Sequence, residues 1–195
     1  MRPLPFVWPY WLIFWSVFFW AFVIEAAFMK RAVPDSKSSV VDKGSVWGVI
    51  VGHNIAVILG ILIAFRLPEL SIGNRVAMFW LGIAVLVAGS LLRRHCFRML
   101  GQYFTYVVQV QGDQPVIERG AYRWIRHPSY TAGMLLFIGI GVSLANWLSL
   151  AILFVTTVAV YSYRVRIEER ALLASMGDRY REYMSRTKRF VPFIV

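Results

Sequence analysis

Five apolar runs, each long enough to cross a bilayer as a helix, limit what this chain can fold into more than any other feature. They cover residues 10–28, 46–65, 76–92, 130–145 and 147–163. Each holds about 16 to 20 residues, roughly 24 to 30 Å of helix at 1.5 Å per residue, which suits a bilayer with little tilt. A water-soluble fold would interrupt such runs with polar positions at helical or strand spacing. Only 16% of the residues are charged, against 58% hydrophobic, whereas soluble domains carry about a quarter charged. The expected class is an all-α integral membrane protein of about five transmembrane helices. The fourth and fifth runs are separated by Asn146 alone and should form a tight antiparallel hairpin. The first run is long, lacks a small-residue cleavage site and is followed by Lys30 and Arg31, so it reads as a span rather than a cleaved leader.

The net charge of +11 raises nucleic acid as a partner. However, the basic residues flank apolar runs instead of covering one soluble face, which fits lipid headgroups and topology better. With five spans the termini lie on opposite sides. One side then holds only Arg2, Arg66 and Arg75 of the 21 basic residues, and the other holds the rest. The positive-inside rule puts the N-terminus outside and the C-terminus in the cytosol. A lone cysteine, Cys96, excludes an internal disulfide, and His53, His95 and His127 fall in no zinc-ligand spacing, so no metal is expected.

Residues 1–99 contribute three spans, and residues 100–195 hold nearly all the sequence able to do chemistry. The segment "TYVVQVQGDQPVIERGAY" has β-branched runs around Gly112 and Asp113, the pattern of a short hairpin or lid. Residues 168–185 read as a cytosolic amphipathic helix in the headgroup layer, with Leu172, Leu173, Met176, Tyr180, Tyr183 and Met184 on one face. Within the spans, Glu25, His53 and Asn54 are polar. Such groups usually face the bundle interior, either as a hydrogen-bonded packing element or beside a ligand.

The stretch "RGAYRWIRHPSYTAG" places Arg126 and His127 at the rim of a helix that Pro128 opens. The free N–H groups and positive dipole end of that helix offer a place for a carboxylate or phosphate. The alternative is that Arg123 and Arg126 extend to anionic lipid while Tyr122, Trp124 and Tyr130 form an aromatic belt. Glu168 and Glu169 follow the fifth run. Because the hairpin is tight, they should approach Arg126 and His127, giving a site suited to a small zwitterion.

Taken together, "GAYRWIRHPSYTAG" and "EERALLASMGDRYREYMSRTKRFVPFI" resemble the isoprenylcysteine carboxyl methyltransferases and their bacterial and archaeal relatives. Those proteins carry G-x-Y-x-x-x-R-H-P-x-Y, a helical hairpin, then E-E-x-x-L-x-x-x-x-G-x-x-Y-x-x-Y. The resemblance covers about residues 100–195, and the short chain points to the prokaryotic branch, in an inner or plasma membrane. It implies a membrane methyltransferase using S-adenosyl-L-methionine and acting on a lipophilic or lipidated acceptor, with a carboxylate as the first choice. On this resemblance Tyr122, His127, Pro128, Tyr130, Glu168, Glu169 and Arg189 would hold the cofactor, and Pro192 would help Arg189 close the pocket. Arg126, Arg164 and Glu169 would form the catalytic set, the two arginines facing the acidic group of the acceptor. Phospholipid N-methyltransferases and S-methyltransferases share enough of this pattern to stand as alternatives. Sterol-type reductases using NADPH, and a non-enzymatic scaffold, are more distant ones. Reporter fusions at the two termini are expected to show a periplasmic or external N-terminus and a cytosolic C-terminus; a cytosolic N-terminus would break the five-span scheme.

Overall fold

A computed structural model describes residues 2–31, 39–40, 44–105, 109–110 and 114–191. Among these residues the architecture is helical: α1 (Tyr10–Arg31), α2 (Ser45–Arg66), α3 (Arg75–Leu100), α4 (Pro128–Ser143), α5 (Trp147–Met176) and α6 (Asp178–Arg186). Helices α2, α3 and α5 are long and apolar enough to cross a membrane, and the segments Tyr10–Val23 and Pro128–Ser143 are shorter apolar helices. Outward-facing positions are apolar too. Trp47, Ile55, Ile58 and Leu62 on α2 are exposed, the arrangement expected where lipid rather than water is the solvent.

Local chemistry sets the helix ends. The side chain of Asn74 accepts from the backbone N–H groups of Val76 and Ala77, both at 3.1 Å, and so opens α3. Asn146 opens α5 in the same way through Ser149 N, also at 3.1 Å. Its amide group donates to the Leu67 carbonyl at 2.8 Å, and Ile72 N donates to the Ala145 carbonyl at 2.8 Å. The turn between α4 and α5 is thereby tied to the connection between α2 and α3. Gly177, at φ +57°, ends α5 in a conformation that disfavours other residues.

The helices pack through small residues. A Cβ at Gly139 would lie 2.7 Å from Leu86 N, and one at Gly82 would lie 2.7 Å from the Gly139 carbonyl. α3 and α4 therefore touch backbone to backbone, the mode available when apolar burial alone gives helices no reason to associate in lipid. Phe79, Leu86, Leu136, Ile140 and Leu153 fill the core beside this contact.

One expectation needs correction. The amphipathic helix does not begin at Glu168. α5 runs unbroken from Trp147 to Met176, because nothing at Glu168 interrupts its backbone ladder and the first left-handed position is Gly177. At about 45 Å, α5 is half as long again as the hydrocarbon core, so its charged last turns project beyond it. Strand β2 (Gln109–Val110), in the segment after α3, pairs antiparallel with β1 (Ser39–Val40), which comes from the α1–α2 connection. Gly112, Asp113 and Pro192 lie outside the described residues, as does the side chain of Glu25.

Gly82→Val is expected to separate α3 from α4 and to cost about 3 kcal/mol or more, since a backbone wall cannot yield as a side chain can. Gly48, whose Cβ would meet nothing within 4 Å, is the control. Gly48→Ala should stabilise α2 by about 0.5–1 kcal/mol. Thermal unfolding in detergent measures both.

Candidate active site

The C-terminal segment returns to the start of α4 and runs alongside it. Arg126 N donates to the Lys188 carbonyl at 2.8 Å and His127 N to the Arg189 carbonyl at 3.1 Å, while Ile125 and Lys188 form a parallel bridge. The Thr131 hydroxyl donates to the Phe190 carbonyl at 2.8 Å. Pro128 explains why this is the meeting place. It holds His127 out of helical geometry, at φ −126° and ψ 53°, so the backbone N–H groups before it point sideways to an extended partner.

Glu169 lies at the centre of this junction and is 4% exposed. Arg126 Nε stands 2.6 Å from Oε1, His127 Nε2 3.3 Å from Oε1, and Arg189 Nη2 2.8 Å from Oε2. Arg189 Nε also donates to Oε2 at 3.1 Å. A buried carboxylate costs several kcal/mol unless it is paired and hydrogen-bonded on its lone pairs, and here three separate residues do so. The Arg126 guanidinium also donates to the Thr187 carbonyl.

Beside the junction is a cavity of about 220 Å³. Six residues singled out by sequence bear on it differently from the remaining three. Tyr122, Arg126, His127, Tyr130, Arg164 and Glu168 line it; Pro128, Glu169 and Arg189 do not, and support it from behind. Tyr130 donates its hydroxyl proton to Glu168 Oε2 at 2.6 Å and accepts from Arg164 Nε at 2.9 Å. Arg164 Nη1 donates to the Ser45 hydroxyl at 2.9 Å. Tyr122 is 5% exposed, and its hydroxyl lies near Ser129 without a hydrogen bond of ordinary geometry among the described residues. Burial, reinforced by nearby carboxylates, pushes the Tyr122, Tyr180 and Tyr183 phenols above their ordinary range, so all three are neutral donors.

Several lining residues had no signal in the sequence. Val46, Val49 and Ile50 of α2 form an apolar wall, Arg93 reaches the Ser129 carbonyl at 2.7 Å, and Tyr161 packs its ring 5.1 Å from that of Tyr130. Tyr180 and Tyr183 are buried here rather than immersed in headgroups, and the Tyr183 hydroxyl donates to the Tyr122 carbonyl at 2.6 Å. Periodicity identified their apolar face but could not tell protein from lipid as its partner. His53 and Asn54 do not pair with each other. Each contacts a backbone carbonyl one turn back, at 2.7 Å, and His53 stacks on Phe137 with ring centres 3.9 Å apart.

The sequence profile of the isoprenylcysteine carboxyl methyltransferase family matches residues 80–174, from α3 to the end region of α5. The chain is similar to this family over that stretch, just under half of its length. It is 27% identical over 166 residues to protein-S-isoprenylcysteine O-methyltransferase of Saccharomyces cerevisiae, covering 82% of this chain and 68% of that one. A probable protein-S-isoprenylcysteine O-methyltransferase of Oryza sativa is 27% identical over 175 residues, covering 89% and 88%. A solved structure of the eukaryotic intramembrane Ras methyltransferase ICMT superposes with a TM-score of 0.66 at 21% identity, covering 98% of this chain and 70% of that one. With three membrane-length apolar helices, the protein is an integral membrane protein.

Glu169→Gln is expected to destabilise the protein by about 3–5 kcal/mol, because it leaves the buried Arg126 guanidinium without its carboxylate. Arg181→Ala, which removes only the exposed ion pair with Asp178, should change stability little. In a double-mutant cycle in detergent, Arg126 and Glu169 should couple by about 1 kcal/mol or more.

Proposed function

We propose that this protein is a methyltransferase that uses S-adenosyl-L-methionine to methylate the carboxylate of a lipophilic or lipidated acceptor. The observation that carries the reading is the division of the cavity lining: cations, an acid and phenols at the α4 start, apolar α2 side chains opposite. The residues present fit such a cofactor. Arg126, His127 and the buried Tyr122 hydroxyl can donate to a carboxylate, and Glu168 can accept from an ammonium or ribose hydroxyl. When bound, S-adenosylmethionine supplies an electrophilic methyl group and leaves as a neutral thioether.

What the chain contributes is position and dryness. An acceptor carboxylate is ionised at neutral pH, so no side chain needs to remove a proton. Arg164 orients that carboxylate; Tyr180 and Tyr183 screen the site from water. Holding two reactants in line and desolvated accounts for a large share of rate enhancement in two-substrate reactions. Glu169 serves as an anchor that keeps Arg126 and His127 aimed, with Arg189 and Pro128 fixing the same corner.

In this reading all five apolar helices cross the bilayer, with α1 and α4 as the shorter crossings. The N-terminus is outside, and the site and α6 are on the cytosolic side. The basic residues support that orientation, since all but three of the 21 fall on the side of the site. The cofactor enters from the cytosol and the amphiphilic acceptor from the bilayer.

Calorimetry of the purified protein is expected to show binding of S-adenosylmethionine and its demethylated product and none of NADPH. Binding of NADPH alone would replace this reading with a reductase. Tyr130→Phe, which breaks the link between Arg164 and Glu168, should lower kcat/KM about tenfold or more.

A further inference from the structure

Ser45 is the first residue of α2, directly after Gly44 at φ +77°, and it is only 2% exposed. Its hydroxyl oxygen accepts from Arg164 Nη1 at 2.9 Å, across 119 positions of sequence.

Arg164 is itself 5% exposed and lines the cavity. Two of its nitrogens are engaged by different helices: Nη1 by Ser45 of α2, and Nε by the Tyr130 hydroxyl of α4 at 2.9 Å. Tyr130 has one proton, which it gives to Glu168, so toward Arg164 it can only accept. The guanidinium plane is thus fixed by two acceptors that cannot exchange roles. A planar fork held this way presents its charge in one direction, which is what separates bidentate recognition of a carboxylate from diffuse attraction.

The residues that follow Ser45 give the direction its meaning. Val46, Val49 and Ile50 line the same cavity, and Ile50 is 40% exposed on the outer surface of α2. A cation fixed at the start of α2, followed by an apolar stripe along that helix, complements an amphiphile with an anionic end. We propose that Ser45 is a positioning residue that acts through Arg164 to select acceptors whose anionic group adjoins an apolar chain. This rests on the methyltransferase reading above and deepens it, by assigning acceptor recognition to a helix in the first half of the chain.

A tie between α2 and α5 that is merely structural would affect charged and uncharged acceptors alike, and the test uses this. The probes are N-acetyl-S-farnesylcysteine and its methyl ester, titrated by calorimetry into the full-length protein in nanodiscs. S-adenosylmethionine affinity and thermal stability are measured alongside. The unaltered protein is expected to prefer the acid over the ester by about tenfold. In Ser45→Ala that preference should fall to about twofold or less, with the acceptor KM raised and S-adenosylmethionine affinity within about twofold of normal. Ser45→Thr, which keeps the hydroxyl, should restore the preference. The inference is overturned if Ser45→Ala keeps the acid preference, or if it weakens acid and ester equally. Absence of S-adenosylmethionine binding by the unaltered protein would instead overturn the methyltransferase reading, and this inference with it.

Discussion

The rest of the site depends on one buried carboxylate. Glu169 sits where burial should expel a charge, and it is retained because Arg126, His127 and Arg189 surround it at 2.6–3.3 Å. These partners come from two places far apart in sequence, the lead-in to α4 and the segment after α6. Satisfying Glu169 therefore obliges the C-terminal segment to return to α4. The backbone bonds from Arg126 and His127 to Lys188 and Arg189 follow from that return. Once they are made, Arg126 and His127 can only face the cavity.

Lipid as the outer solvent explains how the cluster is supported. Helices gain little by burying apolar surface against one another when the alternative is hydrocarbon, so close contact depends on small residues and internal polar bonds. Gly82 and Gly139 bring α3 and α4 together, and the Ser149 hydroxyl donates to the Gly60 carbonyl at 2.7 Å to join α5 to α2. The α4–α5 hairpin is consequently braced at the end opposite the cavity. α5 then runs beyond the hydrocarbon and carries Arg164 and, one turn later, Glu168 and Glu169 to the place where α4 begins.

How far this was legible in the sequence varies by residue. Pro128 marked the start of α4, because a residue without an N–H belongs in a first helical turn. The approach of the Glu168–Glu169 pair to Arg126 and His127 was also legible, since a tight hairpin must return the chain to where it entered. Ser45 and Arg93 gave no signal: a serine and an arginine at span ends have ordinary roles there. The helix across Glu168 was misread because acids suit a first turn, whereas the unbroken backbone ladder through Met176 overrides that preference.

By itself the sequence determined the helical, membrane-embedded class and the hairpin, because hydropathy and proline act over a few turns without reference to distant chain. It also determined that arginines, a histidine and two acids would share one end of that hairpin. Only the tertiary structure decided which of them face the cavity and which stand behind it. Glu168 and Glu169 are neighbours in sequence, yet one lines the site and the other anchors it. Adjacent residues on a helix point about 100° apart, and what each direction meets depends on segments 20 to 43 residues away in sequence.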